Sequence, residues 1–225
     1  MMNIKIMCDA CKLKPDLVTL TEKIKSGLAA TAGVFLLGFA LQYLPELHYP
    51  TIMLASMAAS AVLLYAAHHS PMAQPWPLIG GHLVSALCGW WVVQLIADPV
   101  TAAAIAVGLS IFVMSLLRCL HPPGAATALI MVLNYANYRQ FGGIWITHVV
   151  MLNASMSLIA AFIVNNLLPG RRYPSLATQP LVTPKISRND LEYALSQMDT
   201  VIDVSEDDLL ALYEMASQHA HRTKS

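Results

Sequence analysis

The run Arg118, Cys119, Leu120, His121, Pro122, Pro123, Gly124, Ala125, Ala126, Thr127, Ala128, Leu129 interrupts a long apolar stretch with the residues least suited to a helix interior. Two adjacent prolines remove two backbone donors and forbid a continuous helix through this point. At membrane depth such a break is tolerated only where it is buried in protein or lines a cavity, so the run is the first place to expect a site. A structural kink needs one proline and no histidine, and here His121 stands directly before the pair.

The surrounding composition sets the class. Of 225 residues, 56% are hydrophobic and 12% charged, with a mean hydropathy of +0.57. A soluble domain of this size could not keep that balance dispersed, so the chain reads as an all-α, polytopic membrane protein with the lipid bilayer as its partner. A formal net charge of zero and no long basic stretch argue against nucleic acid as a partner. Between Ser26 and Leu168 the only Asp, Glu, Lys or Arg residues are Glu46, Asp98, Arg118 and Arg139, each near an apparent helix end. The apolar interior offers no carboxylate, which disfavours sodium or proton pathways of the usual acidic kind.

Residues 1–25 are polar and lysine-containing, too long and too hydrophilic for a cleavable signal peptide, so the first apolar segment does the targeting. Cys8, Cys11, Cys88 and Cys119 fit neither a disulfide framework nor a complete zinc site. Cys8 and Cys11 form a lone CxxC, read as two free thiols. No metal, cofactor or nucleophile and base pair can be assembled, and enzyme activity is not expected.

Apolar segments run over 27–44, 51–67, 78–97, 100–117, 122–135 and 143–168. Most reach the roughly 20 residues a spanning helix needs, whereas the fifth would cover only some 20 Å of the 30 Å core at 1.5 Å per residue. Lys5, Lys12, Lys14, Lys23 and Lys25 precede the first segment, and Arg171, Arg172, Lys185 and Arg188 follow the last. The positive-inside rule then places both ends in the cytoplasm, which requires an even number of crossings and makes six. A re-entrant segment after His121 is the alternative, and it needs one of the others to fail as a span.

A second break stands in a matching place: His68, His69, Ser70, Pro71, Met72, Ala73, Gln74, Pro75, Trp76, Pro77, then Gly80, Gly81 and His82. With six spans, both breaks fall on the cytoplasmic side, and paired breaks are the best sequence pointer to a transporter's binding site. Ala55 with Ala59, Ser56 with Ser60, and Ala102 with Ala106 and Ser110 have helical spacing and are read as ordinary bundle packing. After Leu168 the prolines 169, 174, 180 and 184 mark a linker over 169–186. Two short amphipathic helices follow within 187–225, one lined by Leu191, Ala194, Leu195 and Met198, the other by Leu209, Leu212, Tyr213 and Ala216.

The chemistry expected of the breaks is anion binding. A helix starting at Pro122 or Pro123 aims its peptide dipoles at whatever sits before it, and Gly124, Ala125 and Ala126 leave the next N–H groups sterically open. Thr127 adds a hydroxyl, His121 a titratable imidazole, and Arg118 a fixed positive charge. Gly80 and Gly81, with a helix start at Pro77, allow close backbone approach, while Ser70, Gln74 and His82 add neutral hydrogen-bonding groups. His82 and His148 equally suit hydrogen-bonded packing between helices, and Arg118 equally suits a topology marker at the interface.

These motifs resemble those of the HPP family of membrane proteins, named for the His-Pro-Pro seen here as His121, Pro122 and Pro123 within HPPGAATAL. Ser70, Pro71, Gln74 and Pro75, followed by Gly80, Gly81 and His82, are similar to the family's second signature, and the resemblance covers about residues 26–168. It implies an integral membrane domain and, from plant and cyanobacterial relatives, nitrite transport. Trp76 and Pro77 depart from the basic residue common after AQP. The tail resembles the segment that in some bacterial relatives leads into CBS domains, and no adenine-nucleotide regulation is expected from the residues present. The sequence thus predicts a six-span, homo-oligomeric carrier of a small inorganic anion, nitrite first, in a bacterial inner membrane. Competing classes are a non-transporting sensor or scaffold, and a carrier of a neutral or sulfur-containing metabolite.

Overall fold

A computed structural model describes residues 18–43, 53–175, 209 and 213, and for 144–147 the backbone alone. Two compact units are distinguished, one of Met1–Lys23 with Pro180–Ser225 and one of Ile24–Gln179. In the first, Leu209 and Tyr213 are helical. The Cys8 and Cys11 pair and most of the linker and tail lie outside the described residues. All that follows concerns the second unit and the helix that enters it.

Among the described residues six principal helices stand out: α1 (Leu20–Tyr43), α2 (Ser56–Ala66), α3 (Pro75–Leu95), α4 (Pro99–Leu116), α5 (Pro122–Leu133) and α6 (Met151–Leu167). The described connections include a 3₁₀ turn at Pro71–Ala73 and a π-helical stretch at Ile146–Val150. Prolines open α3, α4 and α5, where a missing N–H costs nothing because the first amides of a helix have no internal partner. Asp98 caps α4 by accepting from the Thr101 N–H at 2.8 Å. The expected helix start at Pro77 lies two residues earlier, at Pro75.

Among the described residues four helices have the length and apolarity to cross a membrane: α1, α3, α4 and the helix over His148–Leu167. The other two, α2 and α5, hold 11 and 12 residues. At about 1.5 Å per residue each covers roughly half of a 30 Å core. Of the six spans expected, with the fifth already too short for the core, four are long helices and two, α2 and α5, are half-length, because the Pro122–Pro123 pair starts α5 abruptly and α2 begins only at Ser56.

Packing contacts give the directions. Ala29 clusters with Ala61 and Tyr65, while Leu37 and Leu41 cluster with Leu54 and Met57, so α1 and α2 are antiparallel. Asn153 Oδ1 accepts from Leu54 N and Asn165 Nδ2 donates to Leu64 O, so α6 runs parallel to α2. Gly81 lies against His121, and Gly89 against Ala128 and Met131, so α3 and α5 are parallel. Ala102 and Ala106 pack on Val92, whereas Met114 Sδ meets Ser85, which sets α4 antiparallel to α3. The six helices thus alternate in direction along the chain, and both proline breaks lie at the same end of the bundle.

Outward faces are apolar throughout: Phe35, Phe39, Phe112, Leu116, Phe162 and Leu167 are all exposed. A soluble monomer could not carry so continuous an apolar girdle, whereas lipid solvates it at no cost. The fold is a polytopic all-α membrane bundle. Ala102, Ala106 and Ser110 are fully buried and serve packing, as their spacing suggests.

Candidate functional site

Four side chains with no exposed surface, Ser60 on α2, His82 on α3, and His121 and Thr127 at the start of α5, meet between these three helices beside the breaks, with Ser56 2% exposed next to them. Ser60 Oγ lies 2.9 Å from His82 Nε2 and 3.0 Å from His121 Nε2, bridging the two imidazoles. His82 Nδ1 lies 2.7 Å from Thr127 Oγ1, which in turn lies 2.8 Å from Ser56 Oγ. At the other end His121 Nδ1 lies 2.8 Å from the Met72 carbonyl, in the 3₁₀ turn of the first break. A carbonyl only accepts, so His121 carries its proton on Nδ1 and offers Nε2 to Ser60. Hydrogen-bonded side chains therefore form one continuous chain from Ser56 to Met72, drawn from both breaks and from α2.

Local sequence explains how the chain comes together. His121 is the extended residue preceding α5, with φ −138° and ψ 102°, so its ring swings off the helix axis toward α2 and α3. Thr127 lies far enough along α5 to share a face with Gly124, the face that meets α3. Ser56 and Ser60, four residues apart, share one face of α2. Glycines bring the backbones close: a Cβ on Gly81 would fall 2.6 Å from His121 Cβ, and one on Gly124 would fall 2.8 Å from the Gly81 carbonyl. Packing of α3 on α5 at this distance is possible only without side chains.

Of the residues expected to bind substrate, His121, Thr127 and His82 come together. Gly81 and Gly124 lie on the α3–α5 seam, Gly80 lies against Cys119 on the turn before α5, and the Gly124 amide is used by the His121 carbonyl at 2.8 Å. Pro123 is buried, Pro122 is exposed, and Ala125 and Ala126 are half-buried. Ser70 Oγ accepts from the Met72 amide, capping the 3₁₀ turn. Gln74 donates to the His68 and Ser70 carbonyls and to Ser175 Oγ, and accepts from Ser175 N, so it staples the first break to the segment after α6. Arg118 lies outside the cluster, exposed on the turn before His121.

That turn has its own logic. Cys119 N donates to Met114 O and Arg118 N to Ser115 O, a Schellman ending of α4 that puts its middle residue in the left-handed region. Arg118 occupies it at φ 53°, where glycine is the usual choice.

Ser56 and Ser60 were missed as site residues because their spacing equally suits packing, and only their apposition to His82, His121 and Thr127 shows otherwise. Arg171, expected as a topology marker, is buried. Its guanidinium donates to Tyr65 O at 2.9 Å, Asn165 Oδ1 at 3.3 Å and Ser26 Oγ at 2.8 Å, joining α1, α2 and α6. Beside it His68 is 2% exposed, with neither ring nitrogen partnered. Burial, with His69 and Arg171 nearby, pushes the His68 imidazole down to about 4.

No group of three or more metal-ligating side chains occurs among the described residues. The chain matches the family described as HPP, transmembrane region, over residues 15–174. Two Dictyostelium discoideum proteins described as transmembrane proteins are similar to it, one 41% identical over 154 residues (66% of this chain, 49% of that one), the other 37% identical over 166 residues (72% and 58%). The chain thus spans about half the length of the curated relatives it matches, and these are eukaryotic, so they lend nothing to a bacterial setting. No solved structure matches the chain. With its two signature breaks joined through His121 and Met72 and its match covering most of the sequence, the chain belongs to the HPP transmembrane family.

Proposed function

We propose that the chain carries a small monovalent anion across the membrane, with nitrite as the substrate. The observation supporting this is the chain of two imidazoles and three hydroxyls buried between the half-length helices α2 and α5, in segments that contain no carboxylate. Groups that donate hydrogen bonds and carry no negative charge suit an anion, and a carboxylate beside them would repel it. Discontinuous or shortened helices meeting near the bilayer middle are where secondary transporters place their sites.

In this reading His82, His121 and Thr127 donate to the anion when the seam opens, Ser56 and Ser60 complete the lining, and Arg118 on its exposed turn draws the anion to the break. Gly81 and Gly124 hold α3 and α5 at the spacing that aligns them. Counting α2 and α5 as crossings gives six, in keeping with the alternating directions, and lysines before α1 put both ends in the cytoplasm.

The test is nitrite uptake into proteoliposomes at alkaline pH, where little uncharged nitrous acid leaks through lipid, with nitrate, chloride and formate as competitors. Saturable uptake that His121→Ala abolishes, with membrane insertion intact, is expected. Flux no greater than in empty liposomes refutes the proposal.

A further inference from the structure

Proton counting along the buried chain leads beyond anion binding, and this step rests on the transport reading. His121 Nδ1–H must donate to Met72 O, leaving Nε2 as an acceptor facing Ser60. Ser60 has one proton and two imidazole nitrogens beside it. If both histidines carried their proton on Nδ1, two bare nitrogens would face one hydroxyl and one would stay unsatisfied in a buried site. One neutral arrangement satisfies every group once the Thr127 hydroxyl, which donates to Ser56 Oγ in the structure, turns to His82: Ser56 then donates to Thr127, Thr127 to His82 Nδ1, His82 Nε2–H to Ser60, and Ser60 to His121 Nε2. The two histidines are then opposite tautomers.

We infer that the Ser60-bridged pair His82 and His121 is a proton site, loaded together with the anion. A proton from the aqueous phase forms a new N–H bond at His121 Nε2, which donates to Ser60 Oγ. The Ser60 hydroxyl turns to the Ser56 carbonyl, 3.2 Å away, so every group remains bonded. No bond other than N–H forms, and nothing is oxidised or reduced. Besides the two histidines, the titratable side chains on α2 to α6 are Tyr65 and Cys88. The connections into α3 and α5 add His68, His69, Cys119 and the exposed Arg118, and the turn into α4 adds Asp98, exposed at the opposite end from the breaks. None supplies a negative charge at the pair, so an imidazolium there lacks a counter-charge until the anion arrives. The anion in turn binds best beside an imidazolium. Linkage makes the two effects equal, and the carrier moves proton and anion together with no net charge.

Proteoliposomes containing a trapped pH dye test this. Expected are one proton entering per nitrite, no response of uptake to a potassium-diffusion potential, loss of roughly tenfold or more in Ser60→Ala, and recovery in Ser60→Thr, which keeps the hydroxyl. Saturable uptake that follows the membrane potential and moves no proton overturns the proton site while leaving anion transport standing. Absence of saturable uptake in the unaltered protein instead refutes the transport reading. The bridge is then decided alone by ¹⁵N-histidine NMR of the protein in bilayers at alkaline pH: opposite tautomers at His82 and His121 support it, and two Nδ1–H tautomers overturn it.

Discussion

Gly89→Ala tests how tightly the α3–α5 seam is packed. A Cβ at Gly89 would sit 2.7 Å from both the Ala128 carbonyl and Met131 Cβ, against the 3.4 Å at which ordinary contact begins. One of these atoms is backbone and the other is fixed to it, so neither can swing aside, and the helices must part by about 0.7 Å. A gap of roughly 0.5–1 Å forfeits a quarter to a half of the dispersion energy of the atoms flanking it. Overpacking of this kind costs about 1–3 kcal/mol, from which the roughly 1 kcal/mol helical advantage of alanine must be subtracted. The net is a destabilisation of about 0–2 kcal/mol, or roughly 0–8 °C in melting temperature for a chain of this size. Gly108→Ala is the matched control, because nothing lies within 4 Å of a Cβ there. It should melt about 2–4 °C higher, since only the propensity gain remains. Both are read by thermal unfolding of purified protein in one detergent. If Gly89→Ala melts at or above Gly108→Ala, the close seam, and with it the alignment of His82 with Thr127, is wrong.

Other outcomes follow from individual contacts. Arg118→Gly should raise stability by up to about 1 kcal/mol by relieving the left-handed residue, while weakening apparent nitrite affinity most at low salt; melting and uptake measured against ionic strength check both. Arg171→Lys should destabilise by about 2 kcal/mol, because a single ammonium cannot reach the Tyr65 carbonyl, Asn165 and Ser26 together, and a melting curve reads it. Tyr173→Phe should cost about 1 kcal/mol in the same assay through loss of the bond to the Ala73 carbonyl at 2.7 Å.

Legibility in the sequence differed from feature to feature for physical reasons. Prolines 122 and 123 announced a helix start because proline acts through its own ring and missing donor, whatever surrounds it. Glycine carries no such mark. Lack of a Cβ at Gly81 and Gly124 serves an approaching anion or an approaching helix equally well, and what stands over each residue decides, here the helix. Serines at positions 56 and 60 are ambiguous in the same way, since small polar residues four apart suit packing until a histidine is found opposite. Arg171 read as a topology marker because a charge count ignores burial. Half-length α2 was not legible from the apolar segment at 51–67, since apolar composition continues past the residues that are helical.

His68 offers the clearest pH test, because its burial is not matched by any bond to its ring. In the folded protein it stays neutral down to about 4, whereas in the unfolded chain it takes a proton near the ordinary imidazole value of 6.5. As pH falls through that window the unfolded state binds the proton first, so stability is whole above about 6.5 and declines until the folded group titrates near 4. His68→Asn or His68→Phe should flatten this acid slope without moving the melting temperature's dependence on pH above it. Both substitutions are needed, since Asn leaves a buried amide to be satisfied and Phe does not, and a slope change common to the two belongs to the lost imidazole. The slope is measured by thermal unfolding over a pH series in constant ionic strength, which keeps the screened surface charges from contributing a drift of their own. An acid slope that survives in both variants assigns it to other groups, and leaves the unpartnered ring of His68 to be explained by a partner that approaches this break from outside the described residues.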